Sequence, residues 1–192
     1  MKKIIYLQRI GDVDHRIIIV LQKNLKWFFK ENNIKIKILP DKLPLLESEY
    51  GPNQRQYDAL KVKKRLIKHV NNKKYYRILG VLDADISSRL LNFVFGVADM
   101  PNMPKNKFFG SALISVTRLR EKFYGRSENR VLFELRVLKE AIHELGHTFG
   151  LEHCENLCVM RYSNSLDDTD KKPPNYCEAC LIKLNDFLND FD

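Results

Sequence analysis

The sequence predicts an α/β (α+β) domain in which helices pack against a mixed β-sheet. Strand-like and helix-like segments follow one another in the order β-α-β-α-β-β-β, with one more long helix after them, and this order is typical of a sheet covered by helices. The chain has 192 residues, of which 44% are hydrophobic and 30% are charged, a composition that is ordinary for a globular protein. One domain of this length can bury a sizeable core.

The first elements follow from hydrophobic periodicity. KKIIYLQ predicts a strand, and DVDHRIIIVLQKNLKWFFKENN predicts a long helix. The apolar residues that recur at helical spacing in the latter are Ile17, Val20, Leu21, Leu25, Phe28 and Phe29. NIKIKILP alternates apolar and polar residues, as a half-buried strand does, and we expect Pro40 to end it. SEYGPNQRQYDALK predicts a loop.

A lysine-rich segment carries much of the net charge of +9. KVKKRLIKHVNNKKYYR, residues 61–77, predicts a helix with a basic outer face, followed by a turn. The segment is either a solvated helix surface or a nucleic-acid-binding patch. Because it contains no recognisable RNA- or DNA-binding motif, we do not predict a nucleic-acid partner.

The apolar runs of the chain are short. IIIVL, at residues 17–21, falls far short of a membrane span. The amino-terminal segment MKKIIYLQRIGD has an apolar run of only four residues, which predicts a strand rather than a signal peptide. We therefore expect a cytoplasmic protein with no membrane partner, although the sequence does not predict its oligomeric state.

The remaining segments complete the expected domain. YYRILGVLDADI and LLNFVFGVADM predict inner strands, MPNMPKNKFF predicts a loop, and GSALISVTRL predicts another strand. The strongest helix is predicted at residues 131–149, with an apolar stripe formed by Val131, Leu135, Leu138, Ile142, Leu145 and Phe149. A polar loop with Pro173 and Pro174 follows it, and CLIKLNDFLND predicts a final helix.

Three of the five histidines fall within AIHELGHTFGLEHCENLCVM, residues 141–160. Residues four apart on a helix lie on the same face, so His143 and His147 can present two imidazoles to one metal ion. Gly150 stands where glycine commonly ends a helix. The chain can then turn and bring His153 to the same ion.

Glu144 flanks this expected metal site without needing to bind the ion. Three neutral imidazoles and one open position are typical of a catalytic zinc. Zinc lowers the pKa of its bound water to about 7, and a neighbouring glutamate can take the proton as the water attacks a carbonyl. The alternative is a helix whose histidines are ordinary core or surface residues. The full string HExxHxxGxxH favours the catalytic interpretation, because it is far more specific than HExxH alone.

The four cysteines form two close pairs, CENLC and CEAC, separated by a loop. Pairs at such spacing suit a structural zinc held by four thiolates; the residues are Cys154, Cys158, Cys177 and Cys180. The alternatives are two disulfides, free thiols or a redox-active C-x-x-C, and a reducing compartment disfavours the disulfides. Cys154 directly follows His153, so we hypothesise that the cysteine zinc anchors the chain and thereby positions that histidine.

These motifs resemble those of the archaemetzincins, a branch of the metzincin zinc peptidases. The resemblance rests on HELGHTFGLEHC, a following C-x-M and a late C-x-x-C, and it extends upstream through RQYDA, ILGVLDADI and LNFVFG to nearly the whole chain. The family pattern has one residue more between its first two cysteines, and usually one more between its methionine and third cysteine. Both departures resemble loop deletions that leave the ligand set intact.

The resemblance implies roles for the same residues. It places a catalytic zinc on the three histidines, the general base on Glu144 and a structural zinc on the four cysteines. Met160 would lie in the turn beneath the metal, and Tyr162 matches a position where some metzincins place a tyrosine near the zinc; both can equally be ordinary packed residues. The implied fold has a twisted mixed sheet in an upper subdomain (1–150), a cleft, and a small lower subdomain (151–192). An edge strand above the cleft could hold an extended peptide by strand addition.

The predicted function is therefore that of a zinc-dependent peptidase. It would bind two Zn²⁺ per chain, one catalytic and one structural, and would act on a peptide or protein substrate. The main alternative is a non-catalytic module with two structural zinc ions, whose basic surface contacts nucleic acid or protein. A second alternative is a hydrolase that acts on a non-peptide amide through the same metal chemistry. Glu144 and the three-histidine set favour the enzyme, because a closed scaffold needs no spare carboxylate there.

Overall fold

The computed structural model describes residues 2–70, 75–88, 91–101 and 109–190 of the chain. Its strands are β1 (Ile4–Ile10), β2 (Lys35–Leu43), β3 (Tyr50–Gly51), β4 (Gln56–Asp58), β5 (Arg77–Leu82), β6 (Ile86–Ser87), β7 (Gly96–Ala98) and β8 (Gly110–Ser115). Its α-helices are α1 (His15–Phe28), α2 (Ala59–Val70), α3 (Arg130–Thr148), α4 (Leu166–Lys171) and α5 (Glu178–Asn189).

The main sheet has the strand order β2-β1-β5-β8-β7. Strands β2, β1, β5 and β8 run parallel to one another, whereas β7 is antiparallel to β8 and lies at the edge. A smaller sheet, β3-β4-β6, contains one antiparallel and one parallel pair. These mixed sheets, packed with helices, confirm the predicted fold class.

Helices cover both faces of the main sheet. In β5, Leu79 and Val81 join the core cluster that contains residues of α1 and α3, whereas Ile78 and Leu82 join the cluster that contains residues of α2. This division follows from the strand itself, because successive side chains of a strand point to opposite faces. Every residue of β5 is buried, as expected for an inner strand of a sheet covered on both sides.

Helix α1 confirms the first helix predicted from the sequence. Asp14 caps it, and the Asp14 carboxylate accepts a hydrogen bond from the Arg16 backbone N–H at 2.9 Å. Its buried residues are Ile18, Leu21 and Leu25. In α2, Lys61, Lys64 and Lys68 are exposed, as predicted for a basic outer face. Lys63 is buried instead and forms an ion pair with Asp99.

Strand β2 runs through Pro40, so the prediction that this proline ends the strand was wrong. The pairing with β1 shifts between Leu7 and Arg9, where Leu7 faces Ile38 and Arg9 faces Lys42. Pro40 therefore lies in an irregular part of an edge strand, where its missing N–H breaks no ladder hydrogen bond.

Two further segments differ from the prediction. LLNFVFGVADM is not an inner strand, because the strand within its described residues is Gly96–Ala98, and this short strand lies at the edge of the sheet. Phe95, just before β7, is buried in the core. The apolar character of the segment therefore reflects packing rather than a strand. SEYGPNQRQYDALK is not simply a loop, since it contains β3 and β4. Most of the predicted loop MPNMPKNKFF, and the turn after α2, lie outside the described residues.

Helix α3 spans 130–148, close to the predicted 131–149, but its buried side differs from the predicted stripe. Val131 is 78% exposed, whereas Phe133 and Val137 are buried. The carboxyl-terminal half is enclosed almost all round, with residues 139–146 buried, because the sheet lies against one side and the C-terminal segment against the other.

The C-terminal segment contains a helix that the prediction missed. Helix α4 lies in the expected polar loop and is capped by Ser165, whose hydroxyl accepts a hydrogen bond from the Asp168 N–H. Ser165 and Asp168 have the spacing of a capping box, which is the sequence signal for such a start. Helix α5 agrees with the predicted final helix. No helix in the described ranges is long and apolar enough to cross a membrane.

Candidate active site

Two histidines lie one turn apart on the enclosed half of α3. The Nε2 atoms of His143 and His147 are 3.2 Å apart, and the ring centroids are 4.7 Å apart. This proximity follows from helix geometry, since residues at i and i+4 lie on one face. Both rings line a cleft of about 730 Å³ beside β7.

The end of α3 brings the third histidine to the first two. Gly150 has a φ of +83°, a left-handed conformation that favours glycine. The Leu151 N–H donates to the Gly146 carbonyl at 3.1 Å and fixes the turn. The His153 ring centroid then lies 5.3 Å from that of His143 and 4.9 Å from that of His147. One nitrogen from each of the three rings lies within 4.8 Å of the others.

Backbone carbonyls orient two of the rings. His143 Nδ1 lies 2.9 Å from the Val159 carbonyl oxygen, and His147 Nδ1 lies 2.7 Å from the Leu151 carbonyl oxygen. Because a carbonyl only accepts hydrogen bonds, each Nδ1 carries the proton and each Nε2 keeps its lone pair. Two free lone pairs that face each other at 3.2 Å fit a shared metal ion, and the carbonyls supply the outer-shell contacts typical of ligating histidines.

Loss of hydration at the cleft wall keeps the three imidazoles neutral, including that of His153, whose side chain is otherwise exposed. It holds the pKa of His143 well below its usual value, lowers the pKa of His147 to about 4 and also lowers the pKa of His153. The positive charge of Lys172 acts in the same direction on all three. Neutral imidazoles bind metal without first losing a proton, so the cluster is ready for a cation at neutral pH.

Glu144 is buried next to this cluster, between α3 and β7. Burial raises the pKa of its carboxyl group to about 8, and the negative charge of Glu140 adds to the effect. A cation held by the adjacent histidines would favour the carboxylate and lower this pKa. A Cβ atom at Gly96 would lie 2.6 Å from Glu144 Cγ and 2.7 Å from its Cδ and Oε1. The glycine thus leaves the space that the carboxylate occupies.

Met160 and Tyr162 border the histidines. Met160 is fully buried, and a Cβ atom at Gly146 would lie 2.5 Å from the Met160 sulfur. The methionine side chain therefore packs directly against α3 at Gly146, the residue before His147. The Tyr162 ring centroid lies 4.8 Å from that of His153, and the tyrosine is 46% exposed on the cleft wall.

The four cysteines form a second cluster beyond the helix. Their sulfur atoms all lie within 4.8 Å of one another, and all four thiols are free. Cys177 is the N-cap of α5, and the backbone N–H of Cys180 lowers the pKa of the Cys177 thiol to about 6. Cys158 Sγ accepts hydrogen bonds from the backbone N–H groups of Cys177, at 3.3 Å, and Met160, at 3.5 Å. Four sulfur atoms among such donors suit a closed tetrahedral metal site.

A short backbone segment joins the two clusters. The N–H of Cys154, the residue after His153, donates to the Met160 carbonyl at 3.1 Å. Val159, which follows Cys158, supplies the carbonyl that orients His143. The structure thus brings the seven predicted ligand residues into two groups and places Glu144 beside the first.

Sequence reasoning missed several residues around the histidines. They are Gly96, Glu140, Val159, Ser163 and Lys172, and except for Val159, which reaches His143 through its carbonyl, they line the cleft. Only Glu140 had a sequence signal, because it lies one turn before Glu144 on the same helix face. The others come from distant or irregular segments whose folding no local pattern indicates.

Comparison with known proteins gives concordant results along nearly the whole chain. Residues 2–186 match peptidase family M54. The archaemetzincin of Pyrococcus furiosus is 39% identical over 191 residues, which cover 98% of this chain and 95% of that protein. The archaemetzincin of Methanocaldococcus jannaschii is 40% identical over 185 residues, which cover 95% and 93%, respectively.

Solved structures show the same similarity in three dimensions. The crystal structure of archaemetzincin from Archaeoglobus fulgidus, complexed with malonate, superposes with a TM-score of 0.77 at 34% identity, covering 94% of this chain and 99% of that chain. A zinc-dependent peptidase from Methanocorpusculum labreanum has a TM-score of 0.76 at 29% identity, with coverage of 94% and 100%.

Proposed function

The chain belongs to peptidase family M54 and is a zinc metallopeptidase, and from this premise we propose how its residues hydrolyse a peptide bond. The proposed catalytic centre consists of His143, His147 and His153 as zinc ligands and Glu144 as the general base. The supporting observation is the convergence of three neutral imidazoles beside a buried carboxylate, in a cleft open to a substrate. The non-catalytic alternative has no comparable support.

Bound zinc would supply Lewis-acid chemistry, by lowering the pKa of a water molecule to about 7 and by polarising the scissile carbonyl. The histidines would hold the ion through their Nε2 lone pairs, while Val159 and Leu151 keep the rings of His143 and His147 in place. Glu144 would take the proton of the attacking water and pass it to the leaving amine. Its burial excludes bulk water, which strengthens each of these electrostatic contacts.

Strand β7 is the proposed support for the substrate backbone. Gly96, Val97 and Ala98 line the cleft, and one side of this strand pairs with β8. An extended peptide could add to the other side by backbone hydrogen bonding and so pass over Glu144. The substrate is therefore proposed to be an extended segment of a peptide or protein.

The cysteine cluster is proposed to hold a second, structural zinc ion. Its four sulfur atoms fill a tetrahedral coordination shell and leave no position for a substrate. The clustered thiols also favour a reducing compartment, and a cytoplasmic location belongs to the same proposal.

The test is Glu144→Ala in the zinc-loaded protein. We expect kcat to fall by about 10³-fold, because a positioned base contributes roughly 10²–10⁴-fold, while the zinc content stays at two per chain. Glu134→Ala is the matched control, since Glu134 lies on the same helix and pairs with Arg130 away from the cleft. A Glu144→Ala protein as active as the parent would exclude this residue as the base.

A further inference from the structure

Two buried polar groups on the cleft wall have hydrogen-bonding capacity that the described residues do not use. Ser163 Oγ makes no hydrogen bond to any described residue, and Lys172 Nζ has one partner, the ion-paired carboxylate of Glu140. Both residues line the cleft that contains the three histidines and Glu144. Buried donor capacity that is left unused costs free energy, so the Ser163 hydroxyl and the remaining N–H groups of Lys172, at one binding cleft, point to a ligand that completes them.

Lys172 is held in place by one acidic partner. Its side chain is 1% exposed, and its Nζ lies 2.9 Å from Glu140 Oε1 in an ion pair. The same Glu140 oxygen also accepts a hydrogen bond from Thr169 Oγ1 at 3.1 Å. An ammonium group has three N–H donors, so the single ion pair with Glu140 leaves donor capacity on Lys172 unused. The Glu140 oxygen that faces Lys172 is already engaged twice.

The chemistry of these groups selects the kind of ligand. The ammonium group can only donate, and the serine hydroxyl can donate as well as accept. A basic ligand would bring donors to donors and would also meet the positive charge of Lys172. A carboxylate instead brings two acceptor oxygens and a charge that attracts the ammonium, and such charge-assisted hydrogen bonds are the strong ones.

We propose that Lys172 and Ser163 form a carboxylate-binding subsite beside the catalytic centre, which selects substrates with an acidic group close to the scissile bond. This inference rests on the proposed function for its substrate, a peptide. The carboxylate has two sources in a peptide, namely an aspartate or glutamate side chain and the free C-terminus. The same subsite accepts either, and the experiment separates them.

The experiment measures kcat/KM of the zinc-loaded full chain on matched peptides. One pair has blocked termini and differs only by Glu or Gln at a residue adjoining the scissile bond, and a second pair differs only by a free or amidated C-terminus. We expect about a tenfold preference for the carboxylate in at least one pair, the size that a charge-assisted hydrogen bond supports. A preference in the first pair assigns the side chain, and one in the second pair assigns the C-terminus.

The key variant is Lys172→Met combined with Glu140→Gln. It removes both charges, so neither partner is left buried and unpaired, and we expect the preference to fall to about one. Ser163→Ala is a second, milder variant, expected to lower the preference about threefold without touching the ion pair. Lys171→Met is the matched control, because Lys171 adjoins Lys172 in sequence but is 72% exposed and pairs with Asp167.

Equilibrium binding of two peptide hydroxamates, with a Glu or a Gln side chain, gives a readout that needs no turnover. Tighter binding of the Glu compound, lost in the double variant, supports the subsite even if no peptide is cleaved, in which case the proposed function alone fails. Equal binding and equal cleavage of each pair by the parent would overturn the subsite while leaving the peptidase intact. So would a preference that survives in the double variant, or a preference for lysine at the same position.

Discussion

The histidine cluster ends at His153 and the cysteine cluster starts at the next residue, Cys154, yet their surroundings are opposite. The histidines line an open cleft, and loss of hydration lowers the pKa values of their rings. The cysteines lie between a loop and the start of α5, where backbone N–H groups contact Cys158 and Cys177. The first environment keeps the histidines neutral beside open space. In the second, a backbone N–H lowers the pKa of Cys177 to about 6, whereas burial raises the pKa values of Cys158 and Cys180, so a bound cation would be needed to hold all four as thiolates.

This difference shows that surroundings separate the two sites as much as ligand type does. Three donors beside a cleft leave a metal position for a reacting molecule, whereas four thiolates complete the coordination shell. The helix supplies two histidines in fixed register, and the irregular segment after Gly150 supplies the third histidine and the first cysteine. The region that the second cluster would hold in shape therefore also positions part of the first.

The largest expected contrast comes from removing one ligand from each cluster. We expect His153→Ala to retain about one zinc per chain and to lose at least about 10³-fold in kcat, with little change in Tm, because His153 is exposed. Cys180→Ser should also retain about one zinc but unfold at a markedly lower temperature, since structural zinc contributes folding free energy. Zinc stoichiometry and thermal unfolding check both. Loss of both ions from either variant would contradict two separable sites.

The sequence predicted these clusters because their spacing is local. HExxHxxGxxH needs only helical register and one left-handed glycine to bring three rings together, and Gly150 has that conformation. Most strands and helices were likewise predictable from periodicity. Pro40 was misjudged because the shift in β-strand register depends on β1, a distant partner. Gly96, Ser163 and Lys172 could not be found in this way, since only the folded chain brings them to the cleft.

The next contrast concerns Gly96, which lies against Glu144 at the histidine site. We expect Gly96→Ala to lower kcat about a hundredfold, because the new methyl group would displace the Glu144 carboxylate, and a shift of about 1 Å in a catalytic group costs that much. Zinc content and KM should change little. The measurements are steady-state kinetics and metal analysis.

Two variants test whether this effect acts through Glu144. Val97→Ala, on the same strand, is the matched control. It keeps the strand backbone that is proposed to bind the substrate and shortens only a side chain that packs against the cluster with α2, so it should retain most activity. Glu144→Asp shortens the carboxyl side chain and by itself lowers kcat. Adding Gly96→Ala to Glu144→Asp should recover part of that lost kcat. If Gly96→Ala has the kcat of the parent, the close approach to Glu144 has no catalytic role.

The smallest expected effect tests whether one cluster positions the other. Cys177→Ser weakens the second cluster without touching a histidine, but Cys154 and Cys158 hold the segment that carries His153 and the Val159 carbonyl. Outer-shell changes of this kind cost about 10- to 100-fold in metal affinity, and we expect about tenfold weaker zinc binding at the histidines. Competition with a chelator measures this affinity, and Asn156→Ala, which removes only a side-chain contact to Cys177 Sγ, is the control.

Unchanged affinity and activity would mean that the turn after Gly150 and the packing of Met160 suffice to place His153. The two clusters would then be neighbours in the chain without being coupled.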